Sequence, residues 1–362
     1  MEQLNYMVCV SCMTYNHAPY ITDALNGFCM QETTFPFVCT IVDDASTDGE
    51  QEVIKKYLQE HFDLEDKAIV RHEETDDYIL TFVRHKTNKN CFFAVLYLKY
   101  NHYSIKKFKM PYVAEWHENC KYIAICEGDD YWIEADKLQK QVDYLKENKK
   151  CMMVCNATRW FSVKKGKFLE NYHCYNQNQY ISTEDIILKG GGFIPTCSIM
   201  YKKSVKESYP LYCKQCHVGD YPLQIMCAMK GDVYYFDKIM NVYRVENSNS
   251  WVGRHNHLLL SESLLKGFLS EVQMLKGFMH DYPQYVVYFK KRIIDYIIWN
   301  VPDKIKDHQG YMKFIIAFKD DIQQFQPKDT FLLKWKSSRF SKSYYSYIQY
   351  KNTLKNILKR WK

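Results

Sequence analysis

Residues 122–132 read YIAICEGDDYW. A short apolar run, Tyr122 to Cys126, gives way at once to three carboxylates within four residues, the pattern of a buried strand ending at a polar sheet edge. Two earlier runs behave alike. Tyr6 to Met13 (YMVCVSCM) leads into TYNHAP, and Val38 to Val42 stops at Asp43 and Asp44. Helical patterns lie between and after these runs. Tyr20 to Gln31 places Ile21, Ala24, Leu25 and Phe28 at helical spacing. STDGEQEVIKKYLQEHF opens with capping residues and sets Val53, Ile54, Tyr57 and Leu58 on one face. After EGDDYW, Leu138, Val142 and Leu145 recur at i, i+4 and i+7.

Ala68 to Val70 reads as a further strand, the stretch from Arg71 to Asn119 as a helix flanked by loops, and Met152 to Ala157 as another strand. The alternation predicts an α/β fold with an open, mainly parallel sheet covered on both faces. Ligands of such sheets bind beyond the carboxyl ends of the strands, which directs attention to TYN, DDAS and EGDD. Further along come a hairpin reaching Tyr180, a short helix over Thr183 to Leu188, and the glycine run Gly190 to Gly192. A strand at Ser198 to Tyr201, a helix over Asp220 to Lys230, and strands at Val233 to Phe236 and Ile239 to Val245 follow. Beyond His255 the pattern is helical, as in LLLSESLLKGFLSEVQMLKGF. The expected organisation is an α/β domain over 1–255 and a helical extension over 256–362. His255 and His257 read as surface residues.

The chain has 362 residues, enough for a core domain plus an appendage. Its net charge of +7 is concentrated at one end: from Lys328 onward there are ten Lys or Arg against one acid, Asp329. A nucleic-acid binder would spread a basic face over its folded domain, so no nucleic-acid partner is expected. Met1 to Val10 lacks the basic and apolar regions of a secretory signal, so a cytoplasmic location with reduced thiols is expected for the fourteen cysteines. The CxxC pairs Cys9/Cys12 and Cys213/Cys216 have zinc-site spacing, but the first lies inside an apolar, strand-like run. No stretch approaches the ~18–20 apolar residues of a membrane span.

The usual phosphate and zinc signatures (GxGxxG after a strand, GxxxxGK[ST], HExxH) are absent. Glu127, Asp129 and Asp130 form either a solvated turn or a site for a hard divalent cation such as Mg²⁺ or Mn²⁺, which would relieve their mutual repulsion. Asp43 and Asp44 suit either Asx-type bonding in the turn or acceptance from a base or ribose. Asp220, in HVGDYP, is a helix N-cap or a general base.

These pieces stand in a known order. VSCMTYNHAPYI, FPFVCTIVDDASTDGE, KYIAICEGDDYWIEADKLQKQVDYL, FIPTCSIMYKK and GDYPLQIMCAMKGDVYYFDKIMNVYRV together resemble family 2 of the inverting glycosyltransferases, over about residues 6 to 250. The resemblance implies a GT-A type fold, a nucleotide-sugar donor, with UDP first, and a divalent metal. It implies a nucleotide site of Thr14, Tyr15, Asn16 and Asp44, with Asp43 beside it, and Glu127 facing the ribose. Asp129, with Asp130 as second choice, would hold the metal, and Asp220 would be the base that deprotonates the acceptor hydroxyl. Two departures stand out: Glu246 replaces a His that many relatives carry, and extra residues fill about Tyr100 to His117.

Two other functions use similar parts. A sugar nucleotidyltransferase would carry a Gly-rich basic loop after the first strand, which TYNHAP is not. A non-catalytic nucleotide-sugar-binding domain would not need Asp129, Asp130 and Asp220. The tail SSRFSKSYYSYIQYKNTLKNILKRWK would be basic and amphipathic as a helix, suited either to packing on the domain or to lying on an anionic membrane, where it would bring the enzyme to a lipid-linked or other glycan acceptor at the inner face.

Overall fold

The computed structural model describes residues 5–247, 261–300 and 308–338. Packing divides the chain into two compact units: Met1–Ile186, Gly191–Tyr209 and Leu223–Arg254 form one, and Ile187–Gly190, Pro210–Pro222 and His255–Lys362 the other.

The first unit is built on a mixed sheet. Its strands are β1 (Tyr6–Thr14), β2 (Phe37–Asp43), β3 (Phe62–Asp63), β4 (Arg71–Glu74), β5 (Tyr78–His85), β6 (Cys91–Leu98), β7 (Cys120–Ile125), β8 (Tyr131–Trp132), β9 (Cys151–Ser162), β10 (Lys167–Phe168), β11 (Gln179–Ile181), β12 (Met200–Lys202) and β13 (Asp232–Val245). The main path runs β11-β13-β9-β12-β7-β1-β2-β6-β5-β3. β7, β1, β2 and β6 are mutually parallel, as are β9 and β13, while β12 inserts antiparallel between β7 and β9. The sheet is therefore mixed: its centre, β7-β1-β2-β6, is parallel as the alternating pattern predicts, while β3, β4, β5, β8, β10, β11 and β12 all pair antiparallel.

Composition explains the centre. β2 is buried at all seven positions and β6 at all eight, as strands covered on both faces must be. Helices α1 (Ile21–Cys29), α2 (Glu50–His61), α3 (Met110–Glu118) and α4 (Lys137–Glu147) join these strands. Ile21, Ala24, Leu25 and Phe28 of α1, and Leu138, Val142 and Leu145 of α4, are buried in the same core as the strand residues, on the faces their spacing predicts.

Three local readings are corrected. Ala68 lies in a turn and Val70 outside any strand, because three apolar residues bounded by charge are too few to build a sheet position. The stretch from Arg71 to Asn119 holds β4, β5 and β6, with helix only at Met110–Glu118. Its strand β6 (CFFAVLYL) is an apolar run that pairs in parallel with β2. The two late strands are one, β13, with register shifts around Phe236 to Asn241 where the sequence pattern breaks.

The remaining helices are α5 (Thr183–Lys189), α6 (Leu211–Lys214) and α7 (Asp220–Lys230), followed by Glu262–Asp281, Val286–Trp299, His308–Ala317, Lys319–Ile322 and Pro327–Ser338. In the second unit, the Ser261 hydroxyl caps helix Glu262–Asp281 by accepting from Leu264 N–H at 3.1 Å. Phe268 and Phe278 of that helix meet Tyr296 and Phe289 of the next, with ring centroids 5.8 and 6.0 Å apart. The helical C-terminal region is thus as expected. His255, His257 and nearly all of the basic tail lie outside the described residues. No helix among the described residues is long and apolar enough to cross a membrane.

Candidate active site

The site is assembled around the end of β1. Thr14 is in register with Asp43 of β2, and on the other side Ser11 pairs with Ile125 of β7. The TYN turn therefore lies between the DD and EGDD turns. Backbone bonds tie all three: Asp44 N–H donates to Thr14 O at 3.0 Å and Gly128 N–H to Met13 O at 3.2 Å.

Glu50, the first residue of α2, organises this edge and is fully buried. Its carboxylate accepts from the Thr14 hydroxyl, from His17 N–H at 2.9 Å and from the Ser46 hydroxyl at 2.8 Å. Burial raises its pKa, and these hydrogen bonds oppose the rise. Asn16 takes a left-handed backbone (φ 58°), and its side-chain oxygen accepts from Thr47 N–H at 2.8 Å. Tyr15 is half-buried in the same turn. Asp43 is wholly buried and accepts from Ser46 N–H at 3.0 Å and Gln51 Nε2 at 2.6 Å, so it braces the DDAS turn.

Asp44 is already engaged. Its Oδ1 accepts from His102 N–H at 2.7 Å, and its Oδ2 from Tyr103 N–H at 3.1 Å and Lys109 Nζ at 2.8 Å. The extra segment, about Tyr100 to His117, is therefore laid across Asp44, and a base would have to share this carboxylate with those donors.

On the other flank, Asp129 and Asp130 are buried and Glu127 is exposed, with carboxylate oxygens from the three within 4.8 Å of one another. Asp130 Oδ1 accepts from Arg244 N–H at 2.8 Å, while its Oδ2 is enclosed with no nitrogen or oxygen donor. Burial, then the charge of Asp129, pushes the Asp130 carboxyl well up. Arg244 fastens the loop: its guanidinium donates to Asp129 O at 2.6 Å, pairs with Asp23, and lies over Tyr20 and Tyr131 at 4.9 and 4.6 Å. His17 was also missed from sequence. Its Nδ1 is 3.1 Å from the Thr14 hydroxyl, and its Nε2, which lacks a hydrogen-bond partner, is 3.7 Å from Asp129 Oδ2. If the Thr14 hydroxyl gives its proton to Glu50, it accepts from Nδ1–H, and the Nε2 lone pair of a neutral ring then faces the carboxylate.

An all-oxygen set with one enclosed, unpaired oxygen fits a hard divalent cation, and Glu127, Asp129 and Asp130 are the residues that could hold it. Cys9 and Cys12 are buried in β1, where burial holds both thiols far above their ordinary range. No cluster containing them has metal-binding geometry among the described residues. Glu246 is turned to the β9–β10 hairpin: it accepts from the Ser162 hydroxyl, which lowers its pKa, and lies 3.9 Å from Lys165.

Asp220 belongs to the second unit, where it opens α7 and accepts from Tyr221 N–H at 2.8 Å. The preceding loop is held by His217, whose N–H donates to the Ser270 hydroxyl at 3.0 Å. Glu271 accepts from the Tyr296 hydroxyl at 2.7 Å, and its pKa is pushed up to about 7, by burial first and with a contribution from Asp220. Seven residues expected in the site (Thr14, Asn16, Asp43, Asp44, Glu127, Asp129 and Asp130), with Tyr15, thus share one edge of the first unit.

Residues 9–80, which contain the TYN and DD turns, match the family described as Glycosyl transferase family 2. Uncharacterised proteins of Mycobacterium tuberculosis (strain H37Rv) and Mycobacterium bovis are each 27% identical to this chain over 239 residues, covering 66% of it and 59% of their own length. The chain therefore spans about three-fifths of the curated relatives it matches. Among solved structures it is similar to S. aureus TarS 1–349 in complex with UDP (TM-score 0.56, 14% identity, 95% of this chain and 91% of that one). TarS 1–349 in complex with UDP-GlcNAc gives a TM-score of 0.55 at 14% identity, over 95% and 92%. At such identity the likeness establishes the GT-A type fold.

Proposed function

We propose that the chain transfers a sugar from a nucleoside diphosphate sugar, with UDP as the nucleotide, to a hydroxyl of a glycan or lipid-linked acceptor, with inversion at the anomeric carbon. The observation that carries this reading is the meeting of the DD and EGDD turns on the two sides of the β1 terminus, in a chain that matches family 2 over residues 9–80. That TarS was solved with UDP and UDP-GlcNAc supports the choice of nucleotide.

In this reading the TYN turn and Asp44 hold the nucleoside and Glu127 faces the ribose. Asp129 is the favoured metal ligand, because one oxygen of Asp130 is already given to Arg244 N–H. A bound Mn²⁺ or Mg²⁺ would offset the negative charge that develops on the departing diphosphate. Arg244 keeps the loop in place by its bond to Asp129 O, so the carboxylates need not reorganise during the reaction. Asp220 is the proposed base: it takes the proton of the acceptor hydroxyl as that oxygen bonds to the anomeric carbon and the diphosphate leaves.

A panel of UDP-, GDP- and dTDP-sugars, assayed for Mn²⁺-dependent release of the nucleotide, tests the reading. Turnover of at least one donor is expected, with Asp220→Asn losing transfer but keeping nucleotide binding. Binding without turnover for every donor, or transfer unaffected by Asp220→Asn, would overturn it.

A further inference from the structure

Beside the β9–β10 hairpin the first unit holds an open cavity of about 320 Å³, lined by Trp160, Leu169, Glu170, Asn171 and Tyr172. Its size is at the lower end of small-ligand pockets. The Trp160 and Tyr172 rings are parallel, 5° between planes and 5.1 Å between centroids. Both are fixed. Tyr172 donates its hydroxyl proton to Phe193 O at 2.8 Å and exchanges backbone bonds with Thr158 at 2.8 and 3.0 Å; Leu169 N–H donates to Trp160 O at 2.9 Å. The walls are therefore formed before any ligand arrives.

The accessible polar groups of this cavity are unspent. Glu170 and Asn171 are exposed and make no side-chain hydrogen bond or ion pair among the described residues, whereas Trp160 Nε1 is enclosed and its ring serves as an apolar wall. A carboxylate acceptor and an amide that both donates and accepts, beside flat aromatic rings, match one ligand chemistry. A pyranose ring presents hydroxyls that donate and accept, and a C–H face that suits the negative face of an aromatic ring. A phosphate would meet Glu170 with no lining cation to offset it, and an apolar side chain would leave Glu170 and Asn171 unsatisfied.

The register places the cavity near the acidic cluster. Trp160 pairs with Tyr243, and the next pair is Phe161 with Arg244, whose N–H binds Asp130. We infer that the Trp160–Tyr172 cavity is a subsite for a pyranose residue of the acceptor glycan. The word acceptor rests on the transferase reading above; the sugar binding does not.

Saturation-transfer NMR on the full chain without nucleotide tests the inference, with the methyl glycosides of glucose, galactose, mannose and N-acetylglucosamine as probes. At least one probe should receive saturation through its ring C–H protons, and excess UDP should not displace it. Replacing both exposed groups (Glu170→Ala with Asn171→Ala) removes two or more hydrogen bonds without touching the core, and should weaken binding by about tenfold or more. The subsite is wrong if no probe is saturated, if the double variant binds as well as the parent chain, or if UDP competes. A parallel UDP titration separates the two claims: UDP binding without glycoside binding removes the subsite alone, and glycoside binding without UDP binding removes the transferase reading.

Discussion

The hydroxyl oxygen of Thr14 lies 2.1 Å from the position that a β-carbon on Gly128 would occupy, and the β-carbon of Thr14 lies 2.6 Å from it. The end of β1 and the EGDD loop are thus pressed together with no space for a side chain. Because Thr14 is itself held by Glu50, it cannot swing aside. Gly128→Ala is expected to push the acidic loop away from β1, at a cost of about 1–3 kcal/mol in stability, and to abolish metal-dependent UDP binding. Urea unfolding together with UDP titration checks both, and a variant with unchanged stability and affinity would show that the contact is dispensable.

His17 turns Nε2 toward Asp129 from a position fixed by Thr14 and Glu50. Its Nε2 makes no hydrogen bond to Asp129, so it would act on a cation held there only as a further nitrogen ligand, and removing groups that support a metal site commonly costs about 10–100-fold in metal affinity. His17→Ala should therefore weaken Mn²⁺ binding in the presence of UDP by that order while the fold persists. Mn²⁺ titration followed by electron paramagnetic resonance measures it, and unchanged affinity would leave His17 a packing residue.

The Lys109 ammonium competes for the oxygen of Asp44 that a nucleoside would need. Lys109→Ala removes one of the three donors held by that carboxylate, and UDP should then bind more tightly, by up to about fivefold for the loss of a partly exposed ion pair of up to about 1 kcal/mol. Calorimetry on the two proteins decides it. Equal or weaker binding would mean that Asp44 anchors the 101–109 segment and does not read the base.

Glu271 carries a pH signature. Its carboxyl, ordinarily at 4.5, is pushed up to about 7 by burial in the second unit. Between those values the folded unit keeps a proton that the unfolded chain has released, so stability falls as pH rises through the window, by up to about 3 kcal/mol. Glu271→Gln should remove this slope and be more stable than the parent chain at pH 8 but not at pH 4.5. Denaturant unfolding of the pair at several pH values reads the difference directly.

Much of the fold was legible because its signals are contiguous. YMVCVSCM, FVCTIVD and CKYIAI are runs that only covered strands tolerate, and each ends on the polar residues that build the edge. The apolar run at Cys91–Leu98 carries the same signal, preceded by the turn-forming Asn88-Lys89-Asn90, but it lies inside the segment that reads as a helix flanked by loops. Glu50, His17 and Arg244 could not be found in this way. A Glu in a first helical turn is ordinarily solvated, and the importance of this one comes from Thr14, a residue 36 positions away. Arg244 meets Asp130 across 114 positions, because β8 pairs with β13. Such contacts are products of the sheet order, which local periodicity does not encode.

The central claim is that a nucleoside diphosphate is held at the β1 edge through a cation on the EGDD carboxylates. Calorimetric titration of UDP into the full chain, with Mn²⁺ and then with a chelator, for the parent protein and Asp129→Asn, tests this most directly. The account predicts UDP binding that requires Mn²⁺ and weakens at least about tenfold in the variant, as loss of a charged metal ligand implies. UDP binding that is equally strong with the chelator and in Asp129→Asn, or absent under all conditions, would contradict it.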